Sequence, residues 1–174
     1  MNSEAKWYKY YGDTPRTINY PDISMYKMIK QSRDKYSSNI AYDFMGKSVI
    51  YKDFIDEVDN CAKALLAIGV KKDDTVTVCL PNIPHAVIMF YAINKIGAIA
   101  SMIHPLSAEN EIMFYLNEAN SKYAITLTRF FDKFEAIKGK TKLKTVIACK
   151  IEEGLSTLKG FVYKFPALFS VGVQ

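Results

Sequence analysis

Glycine is scattered through this sequence. Its eight glycines stand alone at 12, 46, 69, 97, 139, 154, 160 and 172, and the closest two are Gly154 and Gly160. A phosphate cradle needs closely spaced glycines so that several backbone N–H groups can surround one anion, so neither a P-loop nor a Rossmann fingerprint is present. No GxSxG elbow is present for a serine hydrolase. Histidine is scarce, with only His85 and His104. The cysteines, Cys61, Cys79 and Cys149, lack CxxC spacing, which leaves no metal-ligand cluster and reads instead as buried free thiols in a reducing compartment. The opening MNSEAKWYKYYGDTPR has no apolar h-region, so no secretory signal is expected.

One stretch imitates a membrane span. Ala86–Ile103 carries only Asn94 and Lys95 as strongly polar side chains. A lysine near the middle of a spanning helix costs about 3 kcal/mol. Gly97, with Pro84 and Pro105 at the flanks, fits a helix followed by a strand better, and the chain is expected to be soluble and cytoplasmic. Lys95→Ala is expected to change stability little. Net charge is +5, with basic residues spread from Lys6 to Lys164. The densest run, Lys138–Lys144, lacks interleaved base-stacking groups and reads as a solvated connection, which argues against nucleic acid.

A chain of 174 residues supports one core and buries roughly 70% of its unfolded surface. Residues 1–23 read as an aromatic, proline-punctuated N-terminal arm lying across the body. Residues 24–150 read as an α/β subdomain, and 151–174 as an apolar tail leading into a missing remainder. Ser24 is a plausible N-cap for a helix to about Tyr36, with Met25, Met28, Ile29 and Ser32 along one stripe. A hairpin turning at Gly46–Lys47 follows. Asp53–Ile68 is the clearest amphipathic helix: Phe54, Ile55, Val58, Cys61, Ala62, Leu65 and Leu66 recur at helical spacing, and Asp53, Asp56, Glu57 and Asp59 form a solvated face. Gly69 sits where a left-handed residue ends it.

Beyond it, Thr75–Leu80, Ala98–Ile103, Tyr123–Leu127 and Lys144–Cys149 read as strands. Helices separate them: one capped by Asn82 that runs to Ile96 and is apolar almost all round, then Ala108–Ala119, then about Arg129–Ile137. Nearly continuous apolar strands alternating with helices give the expected fold class: a doubly wound, mostly parallel α/β sheet with helices on both faces. The tail carries Phe161, Val162, Phe165, Leu168 and Phe169 around Pro166, a surface expected to meet a missing partner and to drive self-association.

No catalytic, metal-binding or cofactor-binding constellation emerges from the residues alone. Two positions have a claim to a pocket edge. His104 precedes Pro105 at the carboxyl end of an apolar strand, where open α/β sheets gather ligands, although the X-Pro constraint alone also accounts for it. Asn82 stands at the start of the apolar helix, where it is either a cap or a pocket edge. His85, in the first turn of that helix, reads as structural.

The order of several short motifs adds a resemblance. Pro21–Ile29 (PDISMYKMI) matches "P-E-I-S-L-Y-E-L-L", and Ile50–Phe54 (IYKDF) loosely matches "T-Y-x-E-L". Ala62–Asn82 follows "A-x-x-L-x-x-x-G-V-x-x-G-D-x-V-x-x-x-L-x-N". Ala92–Ala98 (AINKIGA) follows "A-x-x-K-x-G-A", and His104–Pro105 with Ser107–Glu111 (SAENE) stands for an "N-P" and a Ser-initiated helix carrying "E-E". In this order the chain resembles the N-terminal portion of the AMP-forming acyl-CoA synthetases, the adenylate-forming ligase superfamily, and most of all the fatty-acid–CoA ligases. It departs at Asp73, where a turn glycine is usual, at Ile50 for threonine, and at His104 for asparagine. Asp73 is tolerable because aspartate can adopt left-handed turn conformations.

The resemblance implies a ligase that activates a carboxylic acid through acyl-AMP to acyl-CoA, with ATP, Mg²⁺ and CoA required by the full-length enzyme. The family's phosphate loop, its "Y-G-x-T-E" segment, its ribose-binding aspartate and its C-terminal lysine all fall beyond Gln174 in the pattern. The chain is therefore expected to be an N-terminal fragment that lacks the catalytic motifs and is inactive alone, its partner being the remainder of the same polypeptide. A stand-alone, non-catalytic binding or interaction module on the same scaffold is the other reading left open.

Overall fold

The computed structural model describes residues 5–151, so the tail beyond Ile151 lies outside the described residues, and with it the expectations placed on Phe161–Phe169. A 3₁₀ turn at Lys6–Tyr10 precedes the first helix, α1 (Met25–Tyr36). Ser24 caps α1 as its sequence position implies, its side chain accepting from the Lys27 N–H at 3.2 Å. The buried position on α1 is Tyr26, while Met25 and Met28 are exposed, so the methionine stripe expected from spacing is displaced around the helix. Tyr26 wins because its ring packs inward while its hydroxyl still finds Asp59, at 2.8 Å.

Strands β1 (Ile40–Phe44) and β2 (Lys47–Ile50) form an antiparallel hairpin of their own. The turn is Met45–Gly46, one residue earlier than expected, and both residues have positive φ (52° and 82°). Two left-handed residues match the twist of the flanking strands. Asp43 anchors the turn, accepting from the Gly46 N–H at 3.0 Å and the Ser48 hydroxyl at 2.7 Å.

Helix α2 (Tyr51–Ala67) buries Phe54, Ile55, Val58, Ala62 and Leu65, whereas Leu66 is exposed, against expectation. Its acidic side is not merely solvated. Glu57 accepts from the Tyr42 hydroxyl at 3.4 Å, and Lys52 pairs with Asp56 at 2.9 Å. Burial, with the Glu57 charge and hydrogen bond behind it, pushes the Tyr42 phenol up to about 12.

The main sheet is all parallel, in the order β4-β3-β5-β6, with β3 at Thr75–Cys79, β4 at Ile99–Met102, β5 at Tyr123–Leu127 and β6 at Thr145–Cys149. The central strands β3 and β5 are buried along almost their whole length, while β4 and β6 are the half-exposed edges. Side chains alternate between faces. Val76, Val78, Tyr123, Ile125 and Leu127 join the core under α2 and α3 (Pro84–Lys95). Cys79 and Ala124 join Ile112, Leu116, Phe134 and Ile137 of α4 (Glu109–Glu118) and α5 (Phe131–Lys138) on the opposite face. Helices on both faces of a parallel sheet make the expected doubly wound architecture. The crossovers explain it: β3 to β4 moves one way across the sheet and β4 to β5 the other, and right-handed connections then require opposite faces.

Three helices stop in the same way. After α2, α3 and α4, a left-handed residue (Gly69 at φ 95°, Gly97 at 74°, Asn120 at 49°) lets the next N–H reach back to Leu65, Ile93 and Leu116, at 3.1 Å or less. Asp73 has φ 65°, the conformation its replacement of a turn glycine demands. Helix α3 is not buried all round: Val87 is exposed, and Phe90 and Tyr91 are half-buried.

Asn94 and Lys95 tie α1 and α2 to α3, and Lys95 does so from an exposed position. Asn94 accepts from the Tyr26 N–H at 2.8 Å. The Lys95 ammonium lies 2.6 Å from Asp59 and 4.7 Å from the Tyr26 ring centroid. Burial opposes the charge on both partners. The hydrogen bonds and charge pairing outweigh it, holding Asp59 below and Lys95 above their ordinary ranges. At the amino edge of the sheet, hydrogen bonds from Lys122 (2.7 Å) and the Lys71 N–H (3.0 Å) likewise hold Asp74 low.

A carboxylate held low in the native state contributes stability that is fully present above its unfolded pKa of about 3.9 and is lost as pH falls through the lower native value. The urea midpoint should therefore drop between about pH 5 and pH 3, and drop less in an Asp59→Asn/Asp74→Asn variant. Lys95→Ala should cost about 1 kcal/mol at neutral pH, a half-exposed network rather than a core. Equal acid sensitivity in both proteins would remove these carboxylates from the account.

Candidate functional site

The carboxyl ends of all four parallel strands open on one side of the molecule, and the strand order switches between β3 and β5: the connection leaving β3 runs toward β4, the one leaving β5 toward β6. Open α/β sheets hold ligands at that place. A crevice of about 630 Å³ lies there. Leu80, Pro81 and Asn82 follow β3, Met102 to Leu106 end and follow β4, Leu127, Arg129 and Phe130 come from β5 and its turn, and Ile151 comes from beyond β6. Each wall segment ends a strand or lies within four residues past one, where the backbone leaves the sheet.

Both sequence-picked positions, Asn82 and His104, line this crevice. The expected cap at Asn82 is not made: Ile83 is the N-cap of α3, with no side-chain cap, and Pro84 opens the first turn. Asn82 is one residue too early, and its exposed side chain stands on the crevice rim. His104 is held by its own loop, its Nδ1 accepting from the Leu106 N–H at 3.2 Å and its carbonyl from the Ser107 N–H at 3.2 Å. Asn82 and Met102 also border a second apolar cavity of about 570 Å³, walled by Tyr42, Phe44, Phe54, Phe90 and Tyr91.

Sequence reasoning missed Leu80, Met102, Leu127, Arg129 and Phe130. A signal was available: each stands at or just beyond the end of a strand that the apolar pattern already marked. After β5, a 3₁₀ turn (Thr128–Phe130) projects this group. The Arg129 guanidinium lies 4.9 Å from the Phe130 ring centroid, and the Lys133 ammonium 5.5 Å from it. Lys133 also donates to the Ser107 carbonyl at 3.0 Å, and the Thr128 hydroxyl to the Cys149 carbonyl at 3.2 Å, so the loops behind β4, β5 and β6 are tied together.

Cys79 lies beneath the crevice, its thiol directed at the His104 carbonyl at 3.6 Å. Burial pushes the thiol up to about 11 despite the nearby Lys133 charge. A thiol held neutral is a weak hydrogen-bond donor, not a nucleophile. Among the described residues no group of three His, Cys, Asp or Glu side chains comes together to hold a metal ion. Among the described residues the crevice lining is largely apolar, with Arg129 as its permanent cation and no carboxylate. Such a lining suits an apolar molecule with an anionic end.

The sequence model of the AMP-binding enzymes matches residues 29–165. The chain belongs to the AMP-binding enzyme family. Within it, the long-chain-fatty-acid–CoA ligase of Bacillus subtilis is 27% identical over 164 residues, covering 94% of this chain and 29% of the relative. Acetyl-coenzyme A synthetase 1 of Saccharomyces cerevisiae is 39% identical over 82 residues, covering 47% of this chain and 12% of the relative. The chain thus spans about three-tenths of the fatty-acid ligases it matches, and aligns with their N-terminal part.

The solved structures agree on the fold. A long-chain-fatty-acid–CoA ligase from Archaeoglobus fulgidus superposes with a TM-score of 0.71 at 21% identity, covering 79% of this chain and 30% of that one. A fatty acyl CoA synthetase of Mycobacterium tuberculosis superposes at 0.68 and 24% identity, covering 72% and 26%. For this AMP-binding family member, the described residues supply a parallel sheet with its flanking helices and a crevice at its carboxyl edge. No helix among them is long and apolar enough to cross a membrane.

Proposed function

We propose that this chain is the N-terminal portion of an AMP-forming fatty-acid–CoA ligase, and that its carboxyl-edge crevice walls the path of the acid's alkyl chain. In the reaction, the carboxylate attacks the α-phosphorus of ATP and pyrophosphate leaves. The thiol of CoA then attacks the acyl carbon of the acyl-AMP, AMP departs, and the thiol proton passes to solvent. The observation that carries the reading is the crevice lining itself, apolar along Leu80, Met102, Leu127 and Phe130, without a carboxylate among the described residues, and bordered by Arg129. An alkyl chain gains from apolar walls at about 25 cal/mol per Å² removed from water, and a carboxylate would be repelled by acidic ones. The length-wide similarity to long-chain ligases supports the same substrate class.

ATP, Mg²⁺ and CoA belong to the whole enzyme in this reading. The scattered glycines offer no phosphate cradle, and the described residues assemble no ligand set for Mg²⁺, so no step of phosphoryl chemistry is assigned to them. The three free thiols fit a cytoplasmic site of action.

The test is fatty-acid-dependent exchange of pyrophosphate into ATP. The intact polypeptide should catalyse it with long-chain acids, and residues 1–174 alone should be silent and should bind Mg-ATP weakly by calorimetry. Exchange with aromatic but not aliphatic acids would overturn the substrate class. An intact polypeptide inert with every acid would establish the non-catalytic module instead.

A further inference from the structure

The two edges of the parallel sheet differ. The β6 edge is bracketed by exposed lysines, Lys144 before the strand and Lys150 after it, and such charges keep an edge from pairing with another chain. The β4 edge has no such guard: no charged residue or proline stands between Ile96 and Ile103. Ile99 and Met102 are 53% and 51% exposed. The Ile99 and Ile103 N–H groups donate inward, to the Asp74 and Val78 carbonyls, at 2.9 and 3.1 Å. Alternation then turns the N–H and C=O groups of Ala100 and Met102 outward, where no described residue meets them. The side chains alternate as well. Ala100 packs toward the core under α3, and Met102 borders the apolar cavity there with Val87 and Phe90. Ser101 lines a cavity of about 420 Å³ on the α4 side, with Tyr115 and Glu118.

We propose that β4 is a self-pairing edge, through which two copies of this chain join their four-stranded sheets into one continuous sheet. The geometry of the edge selects a second copy as its occupant. With the two β4 strands antiparallel and the two-fold axis at Ser101, Ala100 opposes Met102 of the second copy, and Met102 opposes its Ala100. Each of these pairs exchanges both of its N–H···O=C bonds. Every outward group of the edge is thereby satisfied by the same groups of the other copy. On the α3 side the small Ala100 lies beside the long Met102. On the α4 side serine meets serine at the axis, a pair able to hydrogen-bond across strands. A ladder this short does not cover the roughly 800 Å² per partner of a stable pair, so the flanks contribute, Val87 and Phe90 from α3 and Tyr115 from α4. Glu118, the charge on the α4 flank, is exposed and keeps its carboxylate in water. The inference does not rest on the ligase reading, since it uses the sheet edge and not the reaction.

Sedimentation equilibrium of the 174-residue chain should show monomer and dimer in exchange. Met102→Lys, which places a lysine on the bare edge, should leave only monomer at concentrations where the parent is dimeric. Its urea midpoint, taken at a concentration where both proteins are monomeric, should match the parent's, because Met102 is half-exposed. Ser101→Cys reads the register. Mild oxidation should link this variant into a disulfide dimer, because the axis sets the two positions opposite each other as a non-hydrogen-bonded pair, the closest spacing in an antiparallel ladder. The parent, with Cys79 and Cys149 buried and Cys61 half-buried, should stay unlinked. Met102→Cys, which faces Ala100 of the second copy rather than its own counterpart, should link far more slowly. A parent that is monomeric at every concentration would overturn the proposal. So would a dimer that survives Met102→Lys, which would move the contact to another surface. Equal cross-linking of Ser101→Cys and Met102→Cys would overturn the two-fold register on which the pairing depends.

Discussion

Phe134→Ala is expected to lower the unfolding free energy by about 3–5 kcal/mol in urea melts, the largest effect of any single truncation considered for this chain. Phe134 is fully buried on the α5 face of the sheet, among Ile112, Leu116, Ile137 and Leu143. That cluster is small, so the cavity has few neighbours able to collapse into it. On the other face, Leu65→Ala and Ile88→Ala should cost about 2–5 kcal/mol within the larger core shared by α2 and α3. Phe114, on α4, is 59% exposed, and its truncation should stay within about 0.5 kcal/mol. Similar losses for Phe114 and Phe134 would mean that the helix faces are wrongly assigned.

Gly97→Ala and Gly139→Ala should move stability in opposite directions. Gly97 ends α3 at φ 74°, and a Cβ there would lie 3.1 Å from the Lys72 Cγ. An L-residue held left-handed costs about 1–2 kcal/mol, and the lysine stem must shift as well. Gly139 follows α5 in the right-handed region at φ −67°, with nothing within 4 Å of a new Cβ. Alanine there restricts the unfolded chain more than the native one and should stabilise by about 0.4–1 kcal/mol. Paired urea melts check the sign. Destabilisation by both would mean that Gly139 is used in a conformation other than the one described.

The strands, the helices and their order were legible because their patterns are local. Tyr123–Leu127 is apolar at every position except Thr126, and an apolar strand between two helices has to lie inside a covered parallel sheet. Ser24 could be read as a cap because its oxygen needs only the N–H three residues on. Asn82 could not be placed the same way. Whether the helix starts after 82 or after 83 depends on Pro84 and on how Ile83 is drawn into the core, where it is 5% exposed. The methionine stripe of α1 failed for a related reason: Tyr26 outcompetes Met25 and Met28 once Asp59, Asn94 and Lys95 are brought to it from two other helices.

By itself, the sequence determined the doubly wound α/β class, the order of its elements, and the resemblance that the AMP-binding family match bears out. These depend on periodicity, on glycine and proline positions, and on motif order, all of which are properties of neighbouring residues. The tertiary structure decided which residues meet. Asn82 and His104 share one crevice with Leu127, Arg129 and Phe130 because three parallel strands end side by side there. Lys95, the one strongly basic group in the apolar stretch, meets Asp59 and Tyr26 while remaining open to water. Pairings between residues far apart in the chain follow from strand order and helix face, and a linear pattern specifies neither before the sheet is assembled.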